Sequence, residues 1–221
     1  QGDLFEAHAQ SFSVVRVTIA PGVILWRQWY SPEEQKALLA DIFTRLEAAP
    51  LYRPAMPGSG KPFSVEESNF GPLGWVSDKA GYRYQPTHPV TGRPWPEIPA
   101  ALAALWQAVA SQFLPAPPPV SCCLVNLYRD GARMGQHQDR DEADASAPVI
   151  GVSLGDEAVF RIGGITRKDP TRGVTLASGD VIAFGGPARL AFHGIDRVRA
   201  GTSTLVPGGG RLSLTLRHVP G

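Results

Sequence analysis

Residues 173–187 read Gly-Val-Thr-Leu-Ala-Ser-Gly-Asp-Val-Ile-Ala-Phe-Gly-Gly-Pro: two short apolar runs, with Ser178-Gly179-Asp180 between them and Gly185-Gly186-Pro187 behind. Runs this short, closed on both sides by turn formers, fit strands and are too brief for helices. The same texture extends outward. Strands are predicted at Val120–Tyr128, Pro148–Leu154, Ala158–Ile162, Gly173–Leu176, Val181–Phe184, Leu190–His193 and Arg211–His218, with further turns at Gly163-Gly164 and Gly208-Gly209-Gly210. Many short strands at this spacing indicate a sandwich or jelly roll. Gly and Pro supply 45 of the 221 residues, which argues against a helical bundle.

Upstream of Pro119 the pattern is mixed. Val14–Ile19 and Val23–Trp26 read as strands around Pro21-Gly22. Ser31-Pro32-Glu33-Glu34 is a helix start with a capping box, and Leu38, Leu39, Ile42, Phe43 and Leu46 follow at helical spacing. A second helix is predicted from Glu97 to Phe113; the Trp- and Tyr-rich segment from Tyr52 to Trp95 reads as loops or hairpins on the surface. The expectation is an α+β chain forming one domain over 1–221. Residues 1–119 would be an N-terminal extension and lid, and residues 120–221 the jelly-roll core.

Hydrophobic residues at 43% and charged residues at 19% exclude a disordered chain. Formal charge is +1, but unevenly spread: residues 121–144 hold 3 basic and 5 acidic side chains, residues 145–221 hold 9 and 5. Adjacent Cys122 and Cys123 read as reduced, buried thiols, since neighbours cannot easily reach disulfide geometry. Ile98 to Tyr128 lacks charge, but Gln107, Gln112 and the Pro115–Pro119 cluster interrupt it, so no membrane span is expected. The first residues show neither a basic n-region nor an h-region, nor an initiator Met. A cytoplasmic monomer away from membranes is expected.

His137-Gln138-Asp139 places an imidazole and a carboxylate two residues apart, on one face of an extended segment, and His193 ends a predicted strand downstream. Two His and one carboxylate form the facial triad of non-haem Fe(II) oxygenases, which leaves open positions on the metal. Taken alone, the pair also suits surface or capping residues. In the last strand Leu212, Leu214 and Leu216 face one way and Arg211, Ser213, Thr215 and Arg217 the other. That is the pattern of a half-exposed strand, or of two guanidinium forks aimed at carboxylates. Asn126 and Tyr128 share parity on the strand leading to the triad, so they add polar groups to one side.

The run Asn126-Leu-Tyr128-Arg-Asp-Gly131-Ala-Arg-Met134-Gly135-Gln-His137-Gln-Asp139-Arg-Asp141-Glu142 resembles the signature of the AlkB family. So do Ser153-Leu154-Gly155, Gly179-Asp180, His193-Gly194-Ile195, the Arg211 and Arg217 pair, and, upstream, Asp3-Leu4-Phe5, Ser68-Asn69, Leu73-Gly74-Trp75, Gly81-Tyr82 and Pro94-Trp95-Pro96. The resemblance implies a double-stranded β-helix and an Fe(II)/2-oxoglutarate-dependent dioxygenase that demethylates alkylated bases. Its substrates would be N1-methyladenine or N3-methylcytosine in single-stranded DNA, possible ones being double-stranded DNA and RNA, with formaldehyde, succinate and CO2 as products. By the same resemblance His137, Asp139 and His193 would hold iron. Asn126 and Arg217 would meet the 1-carboxylate of 2-oxoglutarate, and Tyr128 and Arg211 its distal carboxylate, with one metal position left for O2. Trp75 would stack on the extruded base, His137 would flank it and Asp141 would meet its cationic edge. Tyr82, Arg133, Gln138 and Arg167 would contact the backbone or flanking nucleotides.

Plainer readings stand beside these. Trp75 suits a loop anchor, Tyr82 and Tyr84 hairpin packing, Arg133 and Arg167 ordinary surface charge, and Asp141, Glu142 and Asp144 a solvated acidic run. Ser213 stands where an Asn is common in the family. Gly208–Gly210 changes the spacing before Arg211, and Glu67 occupies a lid position where an apolar residue is more familiar. The other classes weighed are an Fe(II)/2-oxoglutarate hydroxylase or demethylase of a protein or small molecule, a zinc hydrolase, and a noncatalytic jelly-roll binding module.

Overall fold

A computed structural model describes residues 13–129, 131–142 and 144–220. The Asp3-Leu4-Phe5 element lies outside them. The chain runs β1 (Val15–Ala20), β2 (Val23–Arg27), α1 (Pro32–Ala48), β3 (Glu66–Phe70), β4 (Gly74–Asp78), β5 (Gly81–Gln85) and α2 (Ala100–Ala110). It continues through β6 (Cys122–Tyr128), β7 (Met134–His137), β8 (Val149–Gly155), β9 (Glu157–Ile162), β10 (Arg172–Leu176), β11 (Val181–Phe184), β12 (His193–Arg199) and β13 (Arg211–Arg217).

These strands form a seven-stranded sheet in the order β1-β2-β11-β8-β13-β6-β3, a four-stranded sheet β10-β9-β12-β7, and the hairpin β4-β5. All pairings between named strands are antiparallel. The two larger sheets make the jelly-roll core. Of the strands before residue 120, β1, β2 and β3 do not form a separate layer: β2 pairs with β11 and β3 with β6, so they extend the main sheet at both flanks, while β4-β5 stay a separate hairpin.

The helices cover the outer face of that sheet. Leu39 and Ile42 of α1 and Leu102 and Trp106 of α2 share one core with Val125, Ile150, Val152, Leu212, Leu214 and Leu216. The predicted capping box at Ser31 and Glu34 is present. Helix α2 is shorter than the apolar periodicity suggested, because Pro99 takes the N-cap and the chain turns at Ser111. A second core between the sheets contains Leu25, Ile182 and Phe184 from one and Phe160, Ile162 and Ile195 from the other. The turn linking β10 to β11 fixes the start of α1 against the core. Gly179 has φ +85° and an added Cβ would lie 2.7 Å from the Tyr30 carbonyl oxygen, so glycine is needed there on both counts.

Strands β3, β7 and β12 differ from expectation, β7 lying where only an extended segment was read. Leu190–His193 is not a strand: Gly185-Gly186-Pro187 starts a 3-10 turn over Gly186–Ala188, and His193 opens β12 instead of ending a strand. The strand was hidden because a register irregularity between Ile195 and Arg197 breaks its alternation. Strand β3 was missed because it is buried yet polar: Glu67, Ser68 and Asn69 are each 1% exposed or less.

Candidate active site

Strand β13 is central, bonded to β8 on one side and β6 on the other. Its three leucines enter the helix-side core, which turns Arg211, Ser213, Thr215 and Arg217 toward the space between the sheets. It is not half-exposed: Arg211 and Arg217 are 2% and 6% accessible. On β6 the parity is the same, with Val125 and Leu127 in the core and Leu124, Asn126 and Tyr128 facing inward. These side chains line one end of a cavity of about 660 Å³, and the hairpin β4-β5 contributes Trp75, Tyr82 and Tyr84 to its wall.

His137, at the end of β7, pairs in register with His193, at the start of β12. Asp139 reaches them from the loop after β7, and one ligand atom from each of the three lies within 4.8 Å of the others. Asp139 Oδ1 is 3.5 Å from His137 Nε2 and 3.8 Å from His193 Nε2. Each imidazole is oriented from behind: His137 Nδ1 is 3.0 Å from the Gly135 carbonyl oxygen and His193 Nδ1 is 3.0 Å from that of Ala191. Nδ1–H donation to these carbonyls leaves both Nε2 lone pairs facing the Asp139 carboxylate, the tautomer a metal requires. Burial pushes the His193 pKa down to about 4, which keeps that imidazole neutral.

Burial alone would raise the Asp139 pKa, but the Arg217 guanidinium and the two imidazoles outweigh it and hold the carboxyl well below its usual range. Arg217 donates to Asp139 Oδ2 through Nη2 at 2.7 Å and Nε at 3.0 Å, and its Nε lies 3.4 Å from Glu142 Oε1. Glu142 is also paired with Arg189 at 3.2 Å and accepts from the Tyr84 hydroxyl. Arg189 donates further to the carbonyls of Asp139 and Ala147, each at 2.8 Å. This buried network ties the metal-ligand loop to the hairpin. The sequence offered no role for Arg189, only hairpin packing for Tyr84, and a solvated acidic run as the plainer reading of Glu142, which is 8% exposed. Nothing in the spacing marks Arg189; only its 3-10 turn brings it under the loop.

Arg211 differs from Arg217 in having no carboxylate. Its Nη2 donates to Ser153 Oγ at 2.9 Å and its guanidinium sits 5.4 Å from the Tyr128 ring centroid, but Nε and Nη1 are buried without a partner. Asn126 Oδ1 is also orphaned. A buried cation with unsatisfied N–H groups fits a small ligand carboxylate, so the donor set suits a 2-oxoglutarate-like acid beside the triad. Ser213 faces inward between the two arginines, level with Asn126.

The remaining expected contacts spread around the mouth. Trp75 Nε1–H donates to Asp141 Oδ2 at 3.1 Å, and Tyr82 stacks on Trp75 with centroids 5.3 Å apart and 23° between planes. Arg133 is exposed at the rim, and Arg167 lies 4.9 Å over the Phe192 ring. Gln138 is engaged by the protein, donating from Nε2 to the carbonyls of Ile165 and Leu190 at 3.1 and 2.6 Å. Cys122 and Cys123 are buried free thiols, and among the described residues no helix is long and apolar enough to cross a membrane.

The profile of the 2OG-Fe(II) oxygenase superfamily matches residues 22–217. An alpha-ketoglutarate-dependent dioxygenase AlkB homolog of Caulobacter vibrioides is 57% identical, covering 91% of this chain and 90% of that one. The alpha-ketoglutarate-dependent dioxygenase AlkB of Escherichia coli is 40% identical, covering 82% and 83%. The solved structure of OsALKBH1 superposes with a TM-score of 0.75 at 29% identity, covering 91% of this chain and all of that one. With the triad, the buried arginines and the jelly roll in agreement, the chain belongs to the AlkB dioxygenases of the 2OG-Fe(II) oxygenase superfamily, which work with Fe(II) and 2-oxoglutarate.

Proposed function

We propose that this chain is an oxidative demethylase of alkylated nucleic acid bases, acting on N1-methyladenine and N3-methylcytosine in single-stranded DNA. Double-stranded DNA and RNA would be further substrates. The observation that carries this reading is the placement of Trp75 and Asp141, hydrogen-bonded to each other at 3.1 Å, on the wall of the cavity that holds the His137–Asp139–His193 cluster. An aromatic plane joined to a carboxylate suits a flat, cationic base. Relatives carry names of this kind, among them a DNA N(6)-methyladenine demethylase of Arabidopsis thaliana, 36% identical over 66% of this chain.

In this reading His137, Asp139 and His193 hold Fe(II), with Arg217 fixing the Asp139 carboxylate. Arg211, with Tyr128, takes the distal carboxylate of 2-oxoglutarate on its unpartnered guanidinium edge; Asn126, Ser213 and Arg217 line the path to the 1-carboxylate. Iron and cosubstrate together supply the oxidation: O2 is consumed, 2-oxoglutarate leaves as succinate and CO2, and the N-methyl carbon leaves as formaldehyde. Trp75 orients the base by stacking, worth about 1–3 kcal/mol per base, and Asp141 meets its cationic edge. Tyr82, Arg133 and Arg167 sit where they can meet flanking nucleotides, while Gln138 serves mainly to join the 138, 165 and 190 loops.

The test is incubation of the iron-loaded protein with 2-oxoglutarate, O2 and a single-stranded oligonucleotide carrying N1-methyladenine, with His137→Ala as control. Restored adenine and formaldehyde, both absent from the control, are expected. Tight binding of the methylated oligonucleotide by iron-loaded protein without either product rules the assignment out.

A further inference from the structure

Glu67 is the least explained charged residue in the protein. Its strand β3 runs along β6, where Glu67 stands opposite Asn126; β6 in turn aligns Asn126 with Ser213 of β13, and Ser213 with Ser153 of β8. One row of polar side chains therefore crosses four strands toward the cosubstrate end of the cavity. Glu67 is 1% exposed, lines the cavity, and neither of its carboxyl oxygens has a partner. Its neighbour in the row, Asn126, has an orphaned Oδ1. Two orphans on directly opposed positions of adjacent antiparallel strands have Cβ atoms about 5 Å apart, within reach of each other's side chains. A carboxylate cannot satisfy an amide oxygen, since both only accept; a carboxylic acid can, because it carries a proton to donate.

We propose that Glu67 is a positioning residue for the cosubstrate: as the neutral acid it donates to Asn126 Oδ1, turning the Asn126 amide N–H groups toward a carboxylate of 2-oxoglutarate. This rests on the reading that Asn126 faces 2-oxoglutarate. The protonation state follows from the surroundings. Burial, opposed by the Arg217 charge, raises the Glu67 pKa to about 8. The groups facing it are Tyr52 from the segment bridged to β3, Tyr128 from β6 and Arg217 from β13. Burial raises both tyrosines well above their ordinary range, so they stay neutral at the pH values used, and Arg217 stays charged. A dianionic cosubstrate adds a further reason for Glu67 to keep its proton. Ionisation of Glu67 would remove the donor and place a negative charge near an anion.

The test reads 2-oxoglutarate binding by calorimetry on anaerobic, Fe(II)-loaded protein, between pH 6.5 and 9, with Glu67→Gln and Glu67→Met. A group with a pKa near 8 is largely protonated at pH 6.5 and about nine-tenths ionised at pH 9. Wild-type affinity is therefore expected to fall about tenfold across that range. Glu67→Gln keeps an N–H donor that cannot ionise, so it should bind within threefold of wild type at pH 6.5 and lose less than threefold by pH 9. Glu67→Met should bind at least fivefold more weakly at pH 6.5. A wild-type affinity that does not fall, a Glu67→Gln variant that falls as steeply as wild type, or a Glu67→Met variant that binds like wild type overturns the proposal. If Glu67→Met does not fold, the wild-type and Gln pH curves still decide. Calorimetry needs no nucleic acid, so failure to repair an oligonucleotide and failure of this role are separate results.

Discussion

Replacing Arg211 by Met should stabilise the protein free of cosubstrate while abolishing the stabilisation that 2-oxoglutarate confers. The guanidinium is 2% exposed, and two of its nitrogens, Nε and Nη1, are buried without an acceptor. Leaving a buried donor unsatisfied costs about 1–3 kcal/mol, so removing two such donors gains roughly 2–6 kcal/mol. The variant gives up the bond to Ser153 Oγ, about 1 kcal/mol, and the contact with the Tyr128 ring, about 0.5–1 kcal/mol. The unbranched methionine can occupy the channel of the arginine stem. The balance is a gain of about 2 kcal/mol. With cosubstrate present the sign reverses. Two charge-assisted hydrogen bonds at about 1.5–3 kcal/mol each are lost, which weakens binding by a factor on the order of 10²–10⁴. Urea denaturation of anaerobic Fe(II)-loaded protein, with and without 2-oxoglutarate, measures both effects: the wild-type midpoint should rise with the ligand and that of Arg211→Met should not. A variant that is less stable than wild type without ligand, or that 2-oxoglutarate stabilises equally, refutes the orphaned-donor argument.

Other substitutions separate the parts of the site. Asp139→Asn should lose Fe(II) on dialysis and, by depriving Arg217 of its closest carboxylate, destabilise the metal-free protein by about 3 kcal/mol in a denaturant titration; retained iron would contradict the ligand assignment. Trp75→Ala should weaken binding of a methylated oligonucleotide by about 1–3 kcal/mol in an anisotropy titration and leave 2-oxoglutarate affinity unchanged. Equal effects on both would place Trp75 in the core of the site, not at its nucleic acid wall. Gln138→Ala should lower stability by about 1–2 kcal/mol through loss of its bonds to Ile165 and Leu190. An unchanged urea midpoint with weakened oligonucleotide binding would return Gln138 to the substrate contacts.

Much of the site is legible in the chain because its chemistry is concentrated in strands with strict parity. Alternation over 211–217 separates leucines from arginines, and that separation holds in β13 without exception. The triad is legible from residue type and order. What escapes is whatever depends on through-space pairing. Whether Arg211 or Arg217 already has a carboxylate is a question of which loop lies against each, and sequence treats the two alike. Glu142 and Arg189 look like surface charges because a buried ion pair has no periodic signature; they are joined across 47 positions of chain. The backbone acceptors behind the two histidines, Gly135 and Ala191, are invisible for a different reason: any residue has a carbonyl. Strand β3 was lost because consecutive polar residues are buried on both its faces: Glu67 lines the cavity, while Ser68 and Asn69 bond the Ala49 and Trp75 backbone, so no apolar alternation marks it.

The position of β13 has a consequence for synthesis. Strand β13 is inserted between β8 and β6 and contributes both arginines, so the sheet cannot close around the site until residues 211–217 are available. A ribosome still holding residues 211–217 in its exit tunnel carries a chain with two unjoined half-sheets, β1-β2-β11-β8 on one side and β6-β3 on the other. Their facing edges expose unpaired backbone groups that could pair with a neighbouring chain. Competence for iron and cosubstrate thus arrives only once residues 211–217 have emerged and paired, and a nonsense or frameshift change ahead of β13 should leave a protein prone to aggregate and not one with reduced activity.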